Sequence, residues 1–419
     1  MRVRDAVPQA GLRAGVPLLV TGVVVLAVNL RASITALPPL FPELQSALHV
    51  SASTLALLAA MPVLCFGVFS GAGAPLSRRF GEERVLGLAL VLLAVGLLLR
   101  SVSPSLLLFP GTIVAGLAIA LMNVLLPSLV KRRTPERAGL LIGLYLLMLT
   151  AGAVVASLIA VPIFNAGGAG QSAGSAAVRI SLGLWAGPAL LAAVVWLPQL
   201  RYRTPPPQSS LAGVQPPVAK SRGGALSMGR SPLAWHVTLF MGLQSLSYYA
   251  TLSWFPTMFR ERGVSAVHAG ELLALMNLGN AVTALLIPVI AHHSADQRWL
   301  AGVANIASIA GLAGAFFSPL AAVIPLMVLL GLGQGATLGL GIFYTMARAP
   351  DPVTAASLSA FAQGIGYLIA AVGPLLVGYL HDTSGAWTVP GLVLLVVAAL
   401  QLVMGWLGGR AMTVPGLAT

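Results

Sequence analysis

The run from Ser105 to Val130, SLLLFPGTIVAGLAIALMNVLLPSLV, decides the fold class, because it contains no charged side chain. A helix that crosses the hydrocarbon of a bilayer needs about 20 such residues. Backbone in hydrocarbon must satisfy its own hydrogen bonds, so only helices and closed barrels can span. The chain lacks the short segments of alternating polarity that build a barrel. The run therefore predicts a transmembrane helix.

Similar apolar runs fill the rest of the chain. Hydrophobic residues make up 58% of the 419 residues and charged residues only 8%, too few charges to cover a water-soluble protein. Short polar stretches separate twelve predicted spans, at 17–41, 51–73, 85–102, 105–130, 138–163, 180–198, 233–257, 267–291, 299–317, 320–346, 354–380 and 387–407. We therefore expect an all-α membrane protein with twelve transmembrane helices, surrounded by the lipid bilayer.

The basic residues predict the orientation of these spans. The net charge is +13, and 18 of the 23 Lys and Arg residues fall in the amino-terminal tail and in every second loop. Positively charged loops stay in the cytoplasm, which predicts a multi-pass protein of the cytoplasmic membrane with both termini inside the cell. Because the charge is spread over separate loops and forms no patch with aromatic residues, we expect no nucleic-acid partner.

The chain divides into two halves. Residues 201–231 are rich in Pro, Ser and Gly, which predicts a flexible cytoplasmic linker. It separates an amino-terminal six-helix bundle, 1–200, from a carboxy-terminal one, 232–419.

The two bundles show a weak internal repeat. A shift of 214 residues lays Pro42 on Pro256 and Arg84 on Arg298, and a shift of 217 lays Pro135 on Pro352. Parallel repeats of this kind build transporters whose substrate site lies near the midplane between the halves. We therefore expect two pseudo-symmetric bundles that alternate access to a central site.

The loop after the second span, APLSRRFGEERVL at 74–86, resembles the signature loop of the major facilitator superfamily. Arg78 stands where the family has Asp, and Glu82-Glu83 stand where it has a basic pair. The resemblance implies the major facilitator fold and a gating role for this loop. The positions that fit the signature are Leu76, Arg79, Gly81 and Leu86.

Three further segments resemble the cyanate and 2-nitroimidazole transporter branch of that superfamily. They are NLRASIT at 29–35, MPVLCFG at 61–67 and NVLLPSLVK at 123–131, and Gly143-Leu144-Tyr145 and His381-Asp382 extend them. This resemblance implies a small anionic or heteroaromatic substrate.

Arg31 lies near the predicted centre of the first span. An arginine at that depth costs about 2.5–3.5 kcal/mol and therefore faces a cavity or a partner. None of the ten Asp and Glu residues falls near a span centre. Since a guanidinium offers a rigid fork of donors to planar anions, Arg31 is predicted to bind an anionic substrate. The alternative is a structural role with backbone carbonyls or water as partners.

Other polar residues within spans extend this predicted site. The 214-residue shift places Ser245 opposite Arg31, with Tyr248 and Tyr249 one turn further on, where they would form an aromatic wall with hydroxyl donors. Packing between helices is the alternative for each polar residue. The predicted substrate-binding set is Arg31, Thr35, Asn123, Ser245, Tyr248, Tyr249, Gln334 and Gln363.

Several residues near these predict conformational and packing roles. Gly331, Gly335 and Gly339 form a stripe that would let another helix approach closely. The Gly373-Pro374 pair predicts a bend or gate in the eleventh span. Trp254 and Trp387 are expected in the interfacial aromatic belt, and Glu43 is expected at the interface.

The sequence thus predicts a secondary active or facilitative transporter of a small anion or weak organic acid, acting as a monomer, with Arg31 as the anion ligand. A proton or counter-ion is a candidate coupled partner, and no cofactor or metal is expected. The alternative is efflux of a drug-like heteroaromatic compound. An intramembrane enzyme is a remote alternative, because it would need paired carboxylates, a metal set or a nucleophile with its base; the adjacent His292 and His293 are the nearest approach to a metal set. A receptor that does not transport is the remaining alternative.

Overall fold

A computed structural model describes residues 16–69, 72–167, 173–202 and 227–416. Within these residues the secondary structure is helical, with short 3-10 turns and no strands. The α-helices are α1 (Val16–Thr35), α2 (Phe41–Leu48), α3 (Ala52–Phe69), α4 (Gly73–Phe80), α5 (Glu82–Val102), α6 (Pro104–Arg133), α7 (Ala138–Ala166), α8 (Ala173–Gly183), α9 (Ala186–Trp196), α10 (Pro232–Glu261), α11 (Ala266–His292), α12 (Arg298–Phe317), α13 (Val323–Ala347), α14 (Pro352–Ser384) and α15 (Thr388–Gly408). Most of the predicted linker, 201–231, lies outside the described residues, so the domain boundaries stay predictions.

The predicted all-α membrane fold is confirmed. Eleven helical segments of the described chain are long and apolar enough to cross a membrane, and together they cover every predicted span except 233–257. That span corresponds to α10, which is a long helix rich in Ser, Thr, Gln and Tyr. Every residue from Gln244 to Phe259 is buried. The other helices therefore shield α10 from lipid, which explains its polar composition.

Two predicted spans are not single helices. The first, 17–41, was expected to be continuous, but α1 ends at Thr35 and a 3-10 turn at Pro38–Leu40 precedes α2. Pro38 and Pro39 have no backbone N–H and cannot continue the hydrogen-bond ladder of α1. The sixth, 180–198, consists of α8 and α9.

Polar contacts between neighbouring loops define the two ends of the bundle. We call the end that carries Gly81, residues 134–137, 293–297 and 348–351 the basic end, and the other the opposite end. At the basic end Arg132 pairs with Glu82 at 2.6 Å, and Arg348 donates hydrogen bonds to the backbone oxygens of Gly408 and Gly409. These contacts hold the helices of each half together at that end.

Helix starts follow the spacing of the internal repeat. α3 begins at Ala52 and α11 begins 214 residues later, at Ala266. A 3-10 turn that begins at Pro135 leads into α7, and α14 begins 217 residues later, at Pro352. The starts of these helices therefore recur along the chain at the spacing of the repeat.

The halves meet along two helix pairs, α3 with α14 and α7 with α11. In the first pair the rings of Phe66 and Tyr367 pack edge to face, with their centroids 5.5 Å apart. In the second, the backbone oxygen of Ser157 lies directly against Gly270. These two seams leave the centre of the molecule, between α1 and α10, free for a site.

The predicted close approach at the glycine stripe is confirmed. Gly331, Gly335 and Gly339 lie on α13, and each faces a backbone oxygen of α11, at Met276, Asn280 and Ala284 respectively. A side chain at these positions would collide with backbone that cannot move aside. The stripe therefore serves packing within the second half.

Candidate functional site

Arg31 reaches from α1 across the boundary between the halves to the middle of α10. Its Nη1 donates a hydrogen bond to the Tyr248 hydroxyl at 3.0 Å, and that hydroxyl donates to Oδ1 of Asn277 at 2.8 Å. The guanidinium carbon lies 5.2 Å from the ring centre of Tyr248 and 5.8 Å from that of Tyr249. Aromatic faces attract a cation through their quadrupole but do not neutralise its charge. The arrangement therefore orients a guanidinium that keeps its full charge.

Two more tyrosines complete the surroundings of Arg31. Tyr145 on α7 and Tyr367 on α14 are close enough to interact electrostatically with the guanidinium. The sequence analysis did not place them in the site, although Tyr145 belongs to one of the segments that carry the family resemblance. Among the described residues no salt bridge includes Arg31. Within the described chain Arg31 therefore has tyrosine neighbours and no carboxylate partner.

A cavity of about 80 Å³ leads to Arg31 from the basic end. α7 lines one side of it and α11 and α13 line the other, with Arg31, Tyr248 and Asn277 at its inner limit. Leu146 and Ile342, which lie nearer the basic end, are 38% and 41% exposed. The cavity therefore extends from Arg31 toward the basic end in this conformation.

Contacts between the halves close the opposite end. Arg260 on α10 pairs with Glu43 on α2 at 2.6 Å. The backbone N–H of Ser53 donates to Asp382 at 2.9 Å, which joins α3 to α14. These pairs cross from one half to the other. Glu43 therefore joins the halves at this end, and the interfacial role expected of it stays a prediction. The site is sealed from that end.

Trp254 forms part of the same closure. It is 2% exposed, it packs edge to face on Phe41 with 5.6 Å between ring centres, and its Nε1 donates to the backbone oxygen of Pro374 at 2.9 Å. The expectation that Trp254 lies in the interfacial belt is therefore wrong. Its position along the chain is near the end of a span, but α10 is enclosed by protein at that height.

Four of the other predicted substrate-binding residues lie on elements around Arg31. Thr35 is fully buried at the end of α1, and its hydroxyl has no hydrogen-bond partner among the described residues. Asn123 accepts a hydrogen bond from the Tyr145 hydroxyl at 2.9 Å. Ser245 donates to the neighbouring Gln244, and Tyr249 packs edge to face on Tyr248.

Gln334 and Gln363 do not join this group. Gln334 is buried, and its Nε2 donates to the Thr251 hydroxyl at 3.3 Å, a contact between α13 and α10. Gln363 is exposed on α14 and donates to Ser359 at 2.8 Å. Their contacts are those of helix packing and of a surface, and a substrate role for either remains a prediction.

The loop at 74–86 contains α4 and the start of α5. Arg79 is exposed, and its guanidinium lies over the ring of Phe80 at 5.2 Å. Gly81 has a φ of 88°, a conformation that favours glycine, and it turns the chain from α4 into α5. Glu82 is buried and accepts from Ser128 at 2.9 Å in addition to its pair with Arg132. Glu82 therefore attaches α5 to α6 within one half.

The Gly373-Pro374 pair lies where α14 crosses α10. The backbone oxygen of Leu246 lies directly against Gly373, which leaves no room for a side chain there. Together with the bond from Trp254 to Pro374, this contact fixes α14 against α10. A gating role for the pair remains a prediction.

Metal ligands do not gather in the described part of the chain. No group of three or more His, Cys, Asp and Glu side chains in it could hold a metal ion. His292 and His293, the adjacent histidines, stand with ring centres 6.1 Å apart at the basic end of α11.

A helical membrane protein with a central cationic cavity, open at one end and sealed at the other, belongs to the class of alternating-access transporters. Comparison with known proteins agrees: the sequence pattern described as Major Facilitator Superfamily matches residues 23–371. The chain belongs to this superfamily and is a transporter of small molecules, not an enzyme.

The chain is similar to two named transporters and to one solved structure. It is 39% identical over 392 residues to the 2-nitroimidazole transporter of Escherichia coli strain K12, covering 94% of this chain and 95% of that protein. It is 32% identical over 372 residues to the cyanate transport protein CynX of the same strain, covering 86% and 89%. A bacterial homolog of the human lysosomal transporter Spinster superposes with a TM-score of 0.75 at 17% identity, covering 97% and 98%, which supports the fold.

Proposed function

We propose that this transporter carries a small anion or weak organic acid, such as cyanate, and that Arg31 binds it. The observation that carries the proposal is the charge of Arg31 at the boundary between the halves, where the described residues place tyrosines and no carboxylate around it. Leaving a buried charge without a counter-charge is costly. An anionic substrate supplies the missing charge only while it is bound, which suits a site that must also release it.

The surroundings of Arg31 fit a substrate of a few atoms. The guanidinium has donors to spare beyond the one given to Tyr248 and can hold a carboxylate-like anion with two parallel hydrogen bonds. The cavity of about 80 Å³ suits a small ion. The tyrosine rings would stack against the flat ring of an aromatic acid while its carboxylate binds the guanidinium.

The direction of the cavity fits alternating access. We place the basic end, and with it both termini, in the cytoplasm, because positively charged loops stay inside. The described conformation is then open to the cytoplasm. Rocking of the halves along the α3–α14 and α7–α11 seams would close that end and open the opposite one. Both halves lie in one chain, so a monomer suffices for the cycle.

Energetics make a coupled ion a candidate partner. Moving one negative charge into a cell against an inside-negative potential costs about 2.3 kcal/mol per 100 mV. Import of an anion therefore requires a downhill gradient or the co-transport of a proton or another positive counter-ion, whereas the potential favours export.

Thermal unfolding of the purified protein in detergent tests the proposal. Cyanate, formate and benzoate would be titrated against wild type and Arg31→Gln. A ligand at 100 times its Kd adds about 2.7 kcal/mol to the free energy of unfolding, so an anion that binds should raise the Tm of wild type, and Arg31→Gln should lose most of that rise. Uptake of the same anion into proteoliposomes should be lost in parallel.

Arg262 offers a matched control. It is a partly buried arginine at the opposite end, and it donates to the backbone oxygens of Ala315 and Ser318, away from the cavity. Arg262→Gln should keep the anion-dependent rise in Tm even if its own Tm falls. Retention of the full wild-type rise in Arg31→Gln would refute Arg31 as the anion ligand.

Efflux of a heteroaromatic compound is the second candidate. The four tyrosines around Arg31 favour it, because they offer aromatic faces to a flat ring, and one relative is named a 2-nitroimidazole transporter. If neutral 2-nitroimidazole raises the Tm of wild type and Arg31→Gln equally while no anion has an effect, this second function is the correct one.

A further inference from the structure

Arg100 is a second arginine buried inside the bundle. It lies in the last turn of α5, near the opposite end, and is 3% exposed. Its Nη2 donates one long hydrogen bond, 3.4 Å, to the backbone oxygen of Ser33. Its Nε has no hydrogen-bond partner among the described residues, and none of their salt bridges includes Arg100.

Arg100 lines a small closed cavity between the halves. The cavity measures about 20 Å³, and Ser33, Pro62 and Arg100 on the first half face Tyr249 and Ser253 on α10. Leu37, in the turn after α1, lies on its wall as well. Arg100 therefore directs an unpaired donor group into a space at the interface that alternating access opens and closes.

Tyr249 separates this cavity from the site at Arg31. The Arg31 guanidinium lies 5.8 Å from the Tyr249 ring centre, and Tyr249 also lines the cavity of Arg100. Ser33 and Ser253 lie beyond Arg31 and Tyr249 toward the opposite end. The two arginines thus follow one another along the axis that a substrate must travel.

Support of the end of α1 is the competing explanation for Arg100. α1 ends at Thr35, so the Ser33 oxygen is one of the last four carbonyls, which have no partner within the helix. A guanidinium carries five donor hydrogens, and a single 3.4 Å bond uses only one of them. Capping of α1 alone therefore does not explain why a charged side chain with a free Nε is buried at this position.

We propose that Arg100 forms a second anion-binding position, which the transported anion occupies on its way between Arg31 and the opposite end. This inference rests on the proposed function, since it concerns the path of the same anion. In the described conformation the cavity has room for about one water-sized group, and it widens when the Glu43–Arg260 pair at the opposite end separates. Two successive cationic positions keep the anion paired in a medium where an unpaired charge is costly.

Anion-dependent stability of four proteins tests the second position: wild type, Arg31→Gln, Arg100→Gln and the double variant. Sodium bromide and sodium formate serve as probes, with sodium gluconate holding the ionic strength constant. Arg31→Gln should retain part of the wild-type rise in Tm, and the double variant should lose all of it. Equal responses of Arg31→Gln and the double variant would overturn the second position.

The same four proteins separate this inference from the proposed function. If Arg31→Gln responds like wild type and Arg100→Gln does not respond, Arg100 binds the anion and Arg31 does not. If Arg31→Gln alone abolishes the response, Arg31 stands and the second position is wrong. Equal responses from all four proteins would refute both.

A crystallographic measurement covers the case in which Arg100→Gln fails to fold. Crystals of Arg31→Gln grown in sodium bromide should show an anomalous scattering peak beside the Arg100 guanidinium. This experiment leaves Arg100 itself unchanged. Absence of the peak would overturn the proposal. Arg100→Met adds a further check: the loss of an unpaired charge should not lower its Tm, whereas a purely capping Arg100 predicts a lower Tm.

Discussion

The Arg31 guanidinium donates a 3.0 Å hydrogen bond to the hydroxyl of Tyr248, which lies 217 residues later in the chain. The bond joins α1 of the first half to α10 of the second, near the middle of the bundle. The same hydroxyl donates to Asn277 on α11. Arg31 is thus held by the second half of the chain, and rocking of the halves moves the guanidinium relative to its tyrosines.

Removal of the Tyr248 hydroxyl should make the empty site less stable and more responsive to anions. In Tyr248→Phe the ring remains, but Arg31 loses its acceptor and Asn277 its donor. Leaving a buried polar group unsatisfied costs about 1–3 kcal/mol, so the Tm without ligand should fall. A bound anion restores an acceptor to Arg31, and its effect on Tm should exceed that in wild type.

Tyr379→Phe is the control for this change, since Tyr379 is 61% exposed on α14. It should alter neither the Tm nor the response to anions. A smaller anion response in Tyr248→Phe than in wild type would contradict the expectation and would indicate that the Tyr248 hydroxyl itself binds the anion.

Loss of the Glu43–Arg260 pair should favour opening of the opposite end. The two side chains are 13% and 25% exposed, respectively, and a partly exposed ion pair contributes up to about 1 kcal/mol. Glu43→Gln should therefore raise the population of the conformation that is open at the opposite end by up to about fivefold. Leu37→Cys, in a background with Cys65→Ser, reports this change, because Leu37 is buried behind the pair. Its labelling by a membrane-impermeant maleimide should become correspondingly faster.

Two further variants test whether the Glu43–Arg260 pair itself sets the labelling rate of Leu37→Cys. Exchange of the charges, Glu43→Arg with Arg260→Glu, should return labelling to the wild-type rate. Glu271→Gln removes a different acidic group at the same end, which pairs with His268 within α11, and should leave the rate unchanged. Equal labelling rates in Glu43→Gln and wild type would mean that the pair does not hold this end closed.

Gly335→Ala should destabilise the second half. A methyl group at Gly335 would overlap the backbone oxygen of Asn280 and the hydroxyl of Thr283, and overpacking of this kind costs about 1–3 kcal/mol. Gly364→Ala is the matched change, because nothing lies within 4 Å of the added methyl group there. It should be neutral or stabilising by up to about 1 kcal/mol, since alanine favours helix. Thermal unfolding measures the two effects. An equal change in the Tm of both variants would contradict the close packing of α13 on α11.

The transmembrane helices and the central position of Arg31 could be predicted from the sequence more firmly than the other residues of the site. Asn123, Gln334 and Gln363 were predicted on the same ground, because each has an amide side chain within a span. Of these three, only Asn123 contacts a tyrosine of the site. Hydropathy identifies residues that are unusual in hydrocarbon, but not the face of the helix on which they lie. Tyr145 and Tyr367 have the same side chain as Tyr248 and Tyr249, but no relationship along the chain connected them with Arg31.

The sequence by itself determined that the chain crosses the membrane as helices, that it resembles the major facilitator superfamily, and that Arg31 has no acidic residue near it along the chain. These conclusions depend on the cost of placing charge and backbone in hydrocarbon, which local composition records. Only the tertiary structure decided that Trp254 is buried, that Glu43 meets Arg260, and that Arg100 faces a cavity between the halves. Such contacts join residues far apart in the chain, and they arise from the docking of one half on the other.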